Sequence, residues 1–286
     1  MNTTEMDSNG TVRHRIRASM LPSYADCARR TAGKQYGRMI EAAGWKLRAL
    51  MPSVGAAVGT ATHAAVEYVL REKMRTGSPG RVADGLEIAL ARLREEIAPG
   101  AEWDATTPNV LTAEEQIGRL TRAYLPTAEA VQPLAVELSL AATVGPGWEL
   151  TGHIDLLTIQ ADLSDLKTGA IRRPYHGQLG AYSLLARSNG HKINKLGTMF
   201  VTRVRIKKPQ PSPEYTDYER EACERAAFAT IKDIQRDVEQ FEKSGNPDSF
   251  RANNMSLMCS RRYCPAWGTT FCTLHMKGSE DGNPVD

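Results

Sequence analysis

A chain of 286 residues can bury one large core or two modest ones, and its 41% hydrophobic and 24% charged content is ordinary for a globular protein. A net charge of +3 does not by itself argue for nucleic acid, so local clusters must carry that case. No apolar run is long enough to span a bilayer, and the polar, mixed-charge stretch from Met1 to Gly10 does not resemble a signal peptide, so no membrane partner and a cytoplasmic location are expected.

Residues 1–18 read as a mobile polar lead-in, and 19–275 as a single domain. Ser19 to Tyr36 reads as a short helix with turns, and Gly44 to Ala49 as a connector. A helical region follows over about 57–125. Its first helix spans Ala57 to Arg75, with His63 and Glu67 four apart on one face. A second lies within Gly80 to Ala98, closed by Pro99 and Gly100. A third is capped by Thr112 and ends near Leu125, before Pro126. The character then changes. Leu134 to Ala142, Trp148 to Ile159 and Asp162 to Lys167 read as strands, Gly177 to Arg187 as a helix, and Leu196 to Ile206 as a further strand. This β-β-β-α-β order, a sheet core over about 133–206, predicts an α/β fold with a mixed central sheet flanked by helices. A long charged helix is expected over about 219–243, a cysteine-rich segment over 259–272 and a loose tail over 276–286.

Gly152-His153-Ile154-Asp155 closes one apolar strand, and Asp165-Leu166-Lys167-Thr168-Gly169 sits on the next. Two carboxylates and one ammonium would then meet at one point. Carboxylate, backbone carbonyl and water ligands suit Mg²⁺ or Mn²⁺, and a lysine beside such a metal can orient or activate an attacking water. That combination points to phosphodiester cleavage. Read singly, Asp155 also suits a strand end and Lys167 a solvated turn. Glu137, on the preceding strand, is not read as a ligand.

Of the five cysteines, Cys259, Cys264 and Cys272 cluster late and Cys27 stands early, while Cys223 falls within the long helix as a bystander. In a reducing compartment, clustered cysteines bind metal more often than they form disulfides.

Together with Gln178 and Tyr182, and with Gly59, His63 and Glu67 upstream, these motifs resemble the PD-(D/E)XK nuclease superfamily, in its RecB-like branch with an iron–sulfur staple. That branch includes the CRISPR-associated RecB-like exonucleases and AddB-type nuclease domains. The resemblance implies a restriction-endonuclease-like sheet. It implies that Asp155, Asp165, the Leu166 carbonyl and His63 hold Mg²⁺ or Mn²⁺, with imidazole shifting preference toward Mn²⁺. It gives Lys167 the water or the developing phosphorane charge. Gln178 and Tyr182 would contact phosphate or hold Lys167, though both also suit plain packing of their helix on the sheet. Cys27, Cys259, Cys264 and Cys272 would hold a [4Fe–4S] cluster, for which structural Zn²⁺ is the rival.

Arg29 with Arg30, Arg261 with Arg262, Arg172 with Arg173, and a face of Arg203, Arg205 and Lys207 on the last strand are candidate contacts to DNA phosphates. The expected protein is a metal-dependent deoxyribonuclease, an exonuclease on single-stranded DNA or DNA ends in phage or bacterial recombination, repair or spacer acquisition. No G-x-x-x-x-G-K-[ST] segment is present, so unwinding would fall to a helicase partner, and a recombinase or integrase partner also fits. The alternative is a silent DNA-binding or assembly subunit with a structural cluster.

Overall fold

The computed structural model describes residues 4–6 and 12–275. In chain order the elements are β1 (Thr4–Met6), β2 (Val12–Arg17), α1 (Leu21–Asp26), α2 (Ala28–Gln35), α3 (Gly37–Ala42), α4 (Val54–Thr76), α5 (Val82–Ile97), α6 (Val110–Ala130), β3 (Pro133–Gly145), β4 (Trp148–Thr158), β5 (Asp162–Gly169), α7 (His176–Ser188), β6 (Lys195–Thr202), β7 (Glu214–Asp217) and α8 (Arg220–Ser244). Contacts gather these into two compact units where the sequence reading takes one domain. One unit holds Met51–Ala142 and Leu150–Ala227; the other holds the described residues of Met1–Leu50, Thr143–Glu149 and Phe228–Asp286. No helix among the described residues is long and apolar enough to cross a membrane.

In the first unit, β3 pairs with β4, β4 runs antiparallel to β5, β5 parallel to β6, and β6 antiparallel to β7. The parallel pair matches Asp162 with Lys195 through Gly169 with Thr202. Parallel neighbours need a crossover, which α7 supplies. Helix α7 seats close to the start of α8: a Cβ on Gly180 would lie 1.9 Å from the Cys223 carbonyl oxygen, so only glycine fits. Against the sheet lie α4, α5 and α6. Val58, Ala61, Ala65 and Val69 form the apolar stripe of α4, and with Leu93, Ile117, Leu120, Leu156, Leu166 and Val201 they build one buried cluster. Each fully buried leucine or isoleucine there contributes roughly 1.5–3 kcal/mol.

Several boundaries differ from expectation. Helix α6 is capped by Asn109, whose side chain accepts from the Thr112 N–H, and it continues through Pro126 to Ala130. Pro126 and Arg122 are exposed, so the carbonyl that Pro126 cannot donate to is open to solvent. Strand β6 stops at Thr202 rather than Ile206, because Arg203 turns inward to an ion pair with Asp104 at 3.0 Å. The expected basic face of Arg203, Arg205 and Lys207 is therefore not formed.

In the second unit the expected lead-in instead forms β1 and β2, paired antiparallel. His14 and Ile16 are buried, and the His14 N–H donates to the Gly147 carbonyl at 2.8 Å. The alternation of Val12, His14 and Ile16 with arginines is a strand pattern masked by its charge. The tail expected to be loose, 276–286, lies outside the described residues. Arg29 and Arg30, read as phosphate contacts, are buried at 7% and 4% exposure. Arg29 donates to the Phe250 carbonyl and pairs with Asp248 at 2.7 Å; Arg30 pairs with Asp26 at 2.9 Å and donates to Ser256 at 3.0 Å. These bonds pin α2 to the C-terminal segment, beside a packed trio of Phe241, Phe250 and Phe271.

Candidate active site

All the residues of the candidate active site lie in the first unit. His63 projects from α4, Glu137 from β3, Asp155 from β4, Asp165 and Lys167 from β5, and Gln178 and Tyr182 from α7. His63 Nδ1 lies 3.6 Å from Asp155 Oδ2 and 3.9 Å from Glu137 Oε1. Ligand atoms of these three residues all fall within 4.8 Å of one another. A void of about 10 Å³ lies between them and Tyr124 and Leu166, close to the space one water or ion occupies. A hard, carboxylate-rich donor set with one imidazole, around a space of that size, fits Mg²⁺ or Mn²⁺.

Glu137 is the ligand candidate that sequence reasoning set aside. Its φ of 49° is left-handed, a conformation that costs a non-glycine residue about 1–2 kcal/mol. Mid-strand, this departs from the regular pleat and re-aims one side chain, as bulges beside active sites do. The only signal in the sequence is an acid interrupting the apolar run from Leu134 to Leu140.

Asp165 stands apart from that trio. It is 1% exposed; its Oδ1 accepts from Gln178 Nε2 at 3.3 Å, and its Oδ2 sits 2.7 Å from Lys167 Nζ as an ion pair. Gln178 also donates to the Tyr182 hydroxyl at 2.8 Å, so Gln178 ties Tyr182 to the acid. Tyr182 packs against Gly152, where a Cβ would meet its ring at 2.9 Å. Lys167 Nζ also lies 5.0 Å from the centre of the Tyr175 ring, a cation–π contact. Leu166 contributes its backbone: its N–H donates to Asp155 Oδ2 at 2.7 Å, locking β4 and β5 at the site. Glu67 lines the same void and cleft as His63, and its carboxylate pairs with Arg71 at 2.7 Å rather than with the imidazole.

The electrostatics follow from burial and proximity. Burial pushes the Asp155 carboxyl up to about 7, with His63 pulling against it and Asp165 adding to it. Burial pulls the His63 imidazole down, but the Asp155 and Glu137 carboxylates outweigh it and hold it above the usual range. The His63 hydrogen bond holds Glu137 below the usual carboxylate range against its burial. Burial also lowers Lys167, yet Asp165 and Asp155 overcome it, so the ammonium is held charged.

Beside these groups opens a cleft of about 590 Å³, lined by Gly55, Gly59 and Thr60 of α4 and by His63, Glu137 and Lys167. Small side chains along that helix leave room for an extended ligand to reach the lysine. The arrangement can hold a divalent cation, admit a phosphate-bearing chain and present one ammonium to developing negative charge.

In the second unit, Cys27 joins α1 to α2, and Cys27, Cys264 and Cys272 are buried. None of the five cysteines forms a disulfide. Burial pushes the Cys264 thiol up to about 11, with Cys27, Cys259 and Cys272 close enough to raise it further. Cys223 is buried in α8 within the first unit.

The sequence model of the PD-(D/E)XK nuclease superfamily matches residues 16–269. No curated protein matches the chain. Among solved structures, the chain is similar to a protein of Eubacterium rectale described as a candidate exonuclease, at 14% identity and a TM-score of 0.53, with 86% of each chain covered. That likeness is one of fold. Further likenesses are to SSO0001, at 13% identity and a TM-score of 0.27 over 63% of this chain and 74% of that one, and to LHK-Exo in complex with dAMP, at 11% identity and a TM-score of 0.30 over 64% and 96%.

Proposed function

The chain belongs to the PD-(D/E)XK nuclease superfamily and is a metal-dependent nuclease, and from that premise we propose an exonuclease on single-stranded or frayed DNA, of the RecB-like branch, serving phage or bacterial recombination, repair or spacer acquisition. The observation that carries the nuclease reading is the meeting of His63, Glu137 and Asp155 around one small void, with the Asp165–Lys167 pair beside the same cleft.

His63, Glu137 and Asp155 would hold the divalent ion, with Asp165 and the Leu166 carbonyl as the further ligands the family resemblance implies. A bound Mg²⁺ or Mn²⁺ supplies Lewis acidity to the phosphate and lowers the pKa of water. The chain's own residues do the rest. The cleft along Gly55, Gly59 and Thr60 seats the strand. Lys167, held protonated by its acidic neighbours, is a charge-stabilising group for the phosphorane rather than the base. Asp165 fixes the lysine, Gln178 holds Asp165, and the Tyr182 hydroxyl holds Gln178. A helicase, recombinase or integrase partner would supply opened strands.

The same reading assigns Cys27, Cys259, Cys264 and Cys272 to a [4Fe–4S] cluster. Four thiolates on one zinc lie about 3.8 Å apart, given bonds of ~2.3 Å in a tetrahedron. The four thiols are close enough to influence one another electrostatically, as either a cluster or a single zinc would require. Absorbance near ~400 nm with iron analysis separates the cluster from zinc.

The deciding assay uses labelled single- and double-stranded DNA with Mg²⁺ or Mn²⁺, beside Asp165→Ala. Metal-dependent cleavage that vanishes in the variant supports the proposal, and the product ladder separates end-directed from internal cleavage. Absence of cleavage by cluster-loaded protein with either metal overturns it.

A further inference from the structure

One cavity of the second unit is lined by none of the active-site residues. It is a groove of about 680 Å³, within the ~300–1,000 Å³ range of ligand sites. It is built where α2 gives way to α3 and where the following segment folds back: the Arg48 N–H donates to the Pro265 carbonyl at 2.8 Å, and the Arg48 guanidinium to the Arg261 carbonyl at 3.1 Å. Met39, Leu47 and Pro265 give it an apolar lining, and Lys34, Arg38 and Arg48 give it three cations.

Two observations mark it as a binding site rather than a fold between helices. Lys34 and Arg38 are exposed and neither has an ion-pair or hydrogen-bond partner among the described residues, although Glu41 and Glu242 line the same groove. Glu242 is turned to His14 at 3.4 Å, which leaves three cations against Glu41. In addition, Tyr36 lines the groove at 2% exposure with a hydroxyl that has no hydrogen-bond partner. A buried hydroxyl left unpaired costs about 1–3 kcal/mol, which a ligand or a water reaching Tyr36 would recover.

We propose that this groove docks single-stranded DNA, Lys34, Arg38 and Arg48 meeting successive phosphates while the bases rest on Met39, Leu47 and Pro265. The identity of the ligand rests on the nuclease reading; the anion-binding chemistry does not. Cations and apolar surface lining one open groove suit a flexible strand of phosphates and bases. The groove would raise the affinity for long substrates without touching the bond that is cut.

The test is the double variant Lys34→Ala/Arg38→Ala in the full chain, cluster intact. Binding of labelled oligothymidylate, about 12 nucleotides long to match single-strand site sizes, is followed by anisotropy in EDTA across a salt series. The expected result is at least a tenfold rise in Kd and a fall of about 1.4 in the slope of log K against log salt, from two phosphate contacts at ~0.7 each. An unchanged Kd and slope overturns the proposal. Inorganic phosphate and dAMP serve as competitors. Loss of dAMP binding in the variant with strand affinity unchanged also overturns it and assigns the groove to a mononucleotide. Hydrolysis of bis(p-nitrophenyl) phosphate, too small to need the groove, is run in parallel. Wild type and double variant should match, and failure of wild type there refutes the nuclease reading separately from the docking result.

Discussion

Lys167 Nζ and Asp165 Oδ2 lie 2.7 Å apart on the same face of β5, the acid at 1% side-chain exposure and the lysine at 19%. Residues two apart on a strand project to the same side, so this pairing is built into the Asp-x-Lys spacing once the segment is a strand. A buried acid holding a partly exposed lysine makes the ammonium a fixed charge at the cleft.

Lys167→Met should therefore lower kcat by about 10²–10³-fold, the cost of removing one preorganised donor to transition-state charge. Metal affinity should change little. Single-turnover cleavage beside calorimetric Mn²⁺ titration checks both. A loss of metal binding equal to the loss of rate would place the lysine's role elsewhere.

Glu137→Gly separates the two consequences of a left-handed backbone. Relief of about 1–2 kcal/mol of strain offsets the ~0.5–1 kcal/mol entropic cost of glycine, so stability of the metal-free chain should stay within about 1 kcal/mol. Metal affinity should fall sharply, since one carboxylate of the trio is gone. Urea unfolding and Mn²⁺ titration of the same variant measure the two effects.

Metal binding should weaken as pH falls through about 7. Asp155 must lose its proton to ligate, and burial has pushed that carboxyl up to about 7; His63, held above its usual range, adds to the proton's competition. The metal-free fold has the opposite dependence. Between the ordinary carboxylate range near ~4 and about 7, folded Asp155 holds a proton that the unfolded chain has released, so stability falls as pH rises through that window. Glu137, held low, contributes with the reverse sign at lower pH. Thermal melts from pH 5 to 8, with and without Mn²⁺, should converge at the acid end and diverge at the alkaline end.

Arg30→Ala should destabilise the second unit by about 1–3 kcal/mol, because Ser256 and Asp26 lose a buried charged partner. Single-stranded DNA affinity should be unchanged once the protein is folded. A variant that keeps its melting temperature but binds DNA more weakly would restore Arg30 to the nucleic-acid contacts.

Much of the site was legible in the sequence because it rests on short-range periodicity. Asp165 and Lys167 share a face by strand period, Gln178 and Tyr182 by helix period, and the β-β-β-α-β order follows from apolar runs and turn residues. Tertiary structure decided what periodicity cannot carry. Glu137 reaches His63 and Asp155 only because its backbone leaves the regular strand conformation, which no local pattern encodes. Arg29 and Arg30 look like surface cations until Asp26, Asp248, Ser256 and the Phe250 carbonyl, most of them more than 200 positions away, close around them. Arg203 looks like part of a strand until Asp104 draws it inward. In each case a long-range partner changes the free energy of a charged or strained residue by more than its local propensity does, and that partner is known only once the chain is folded.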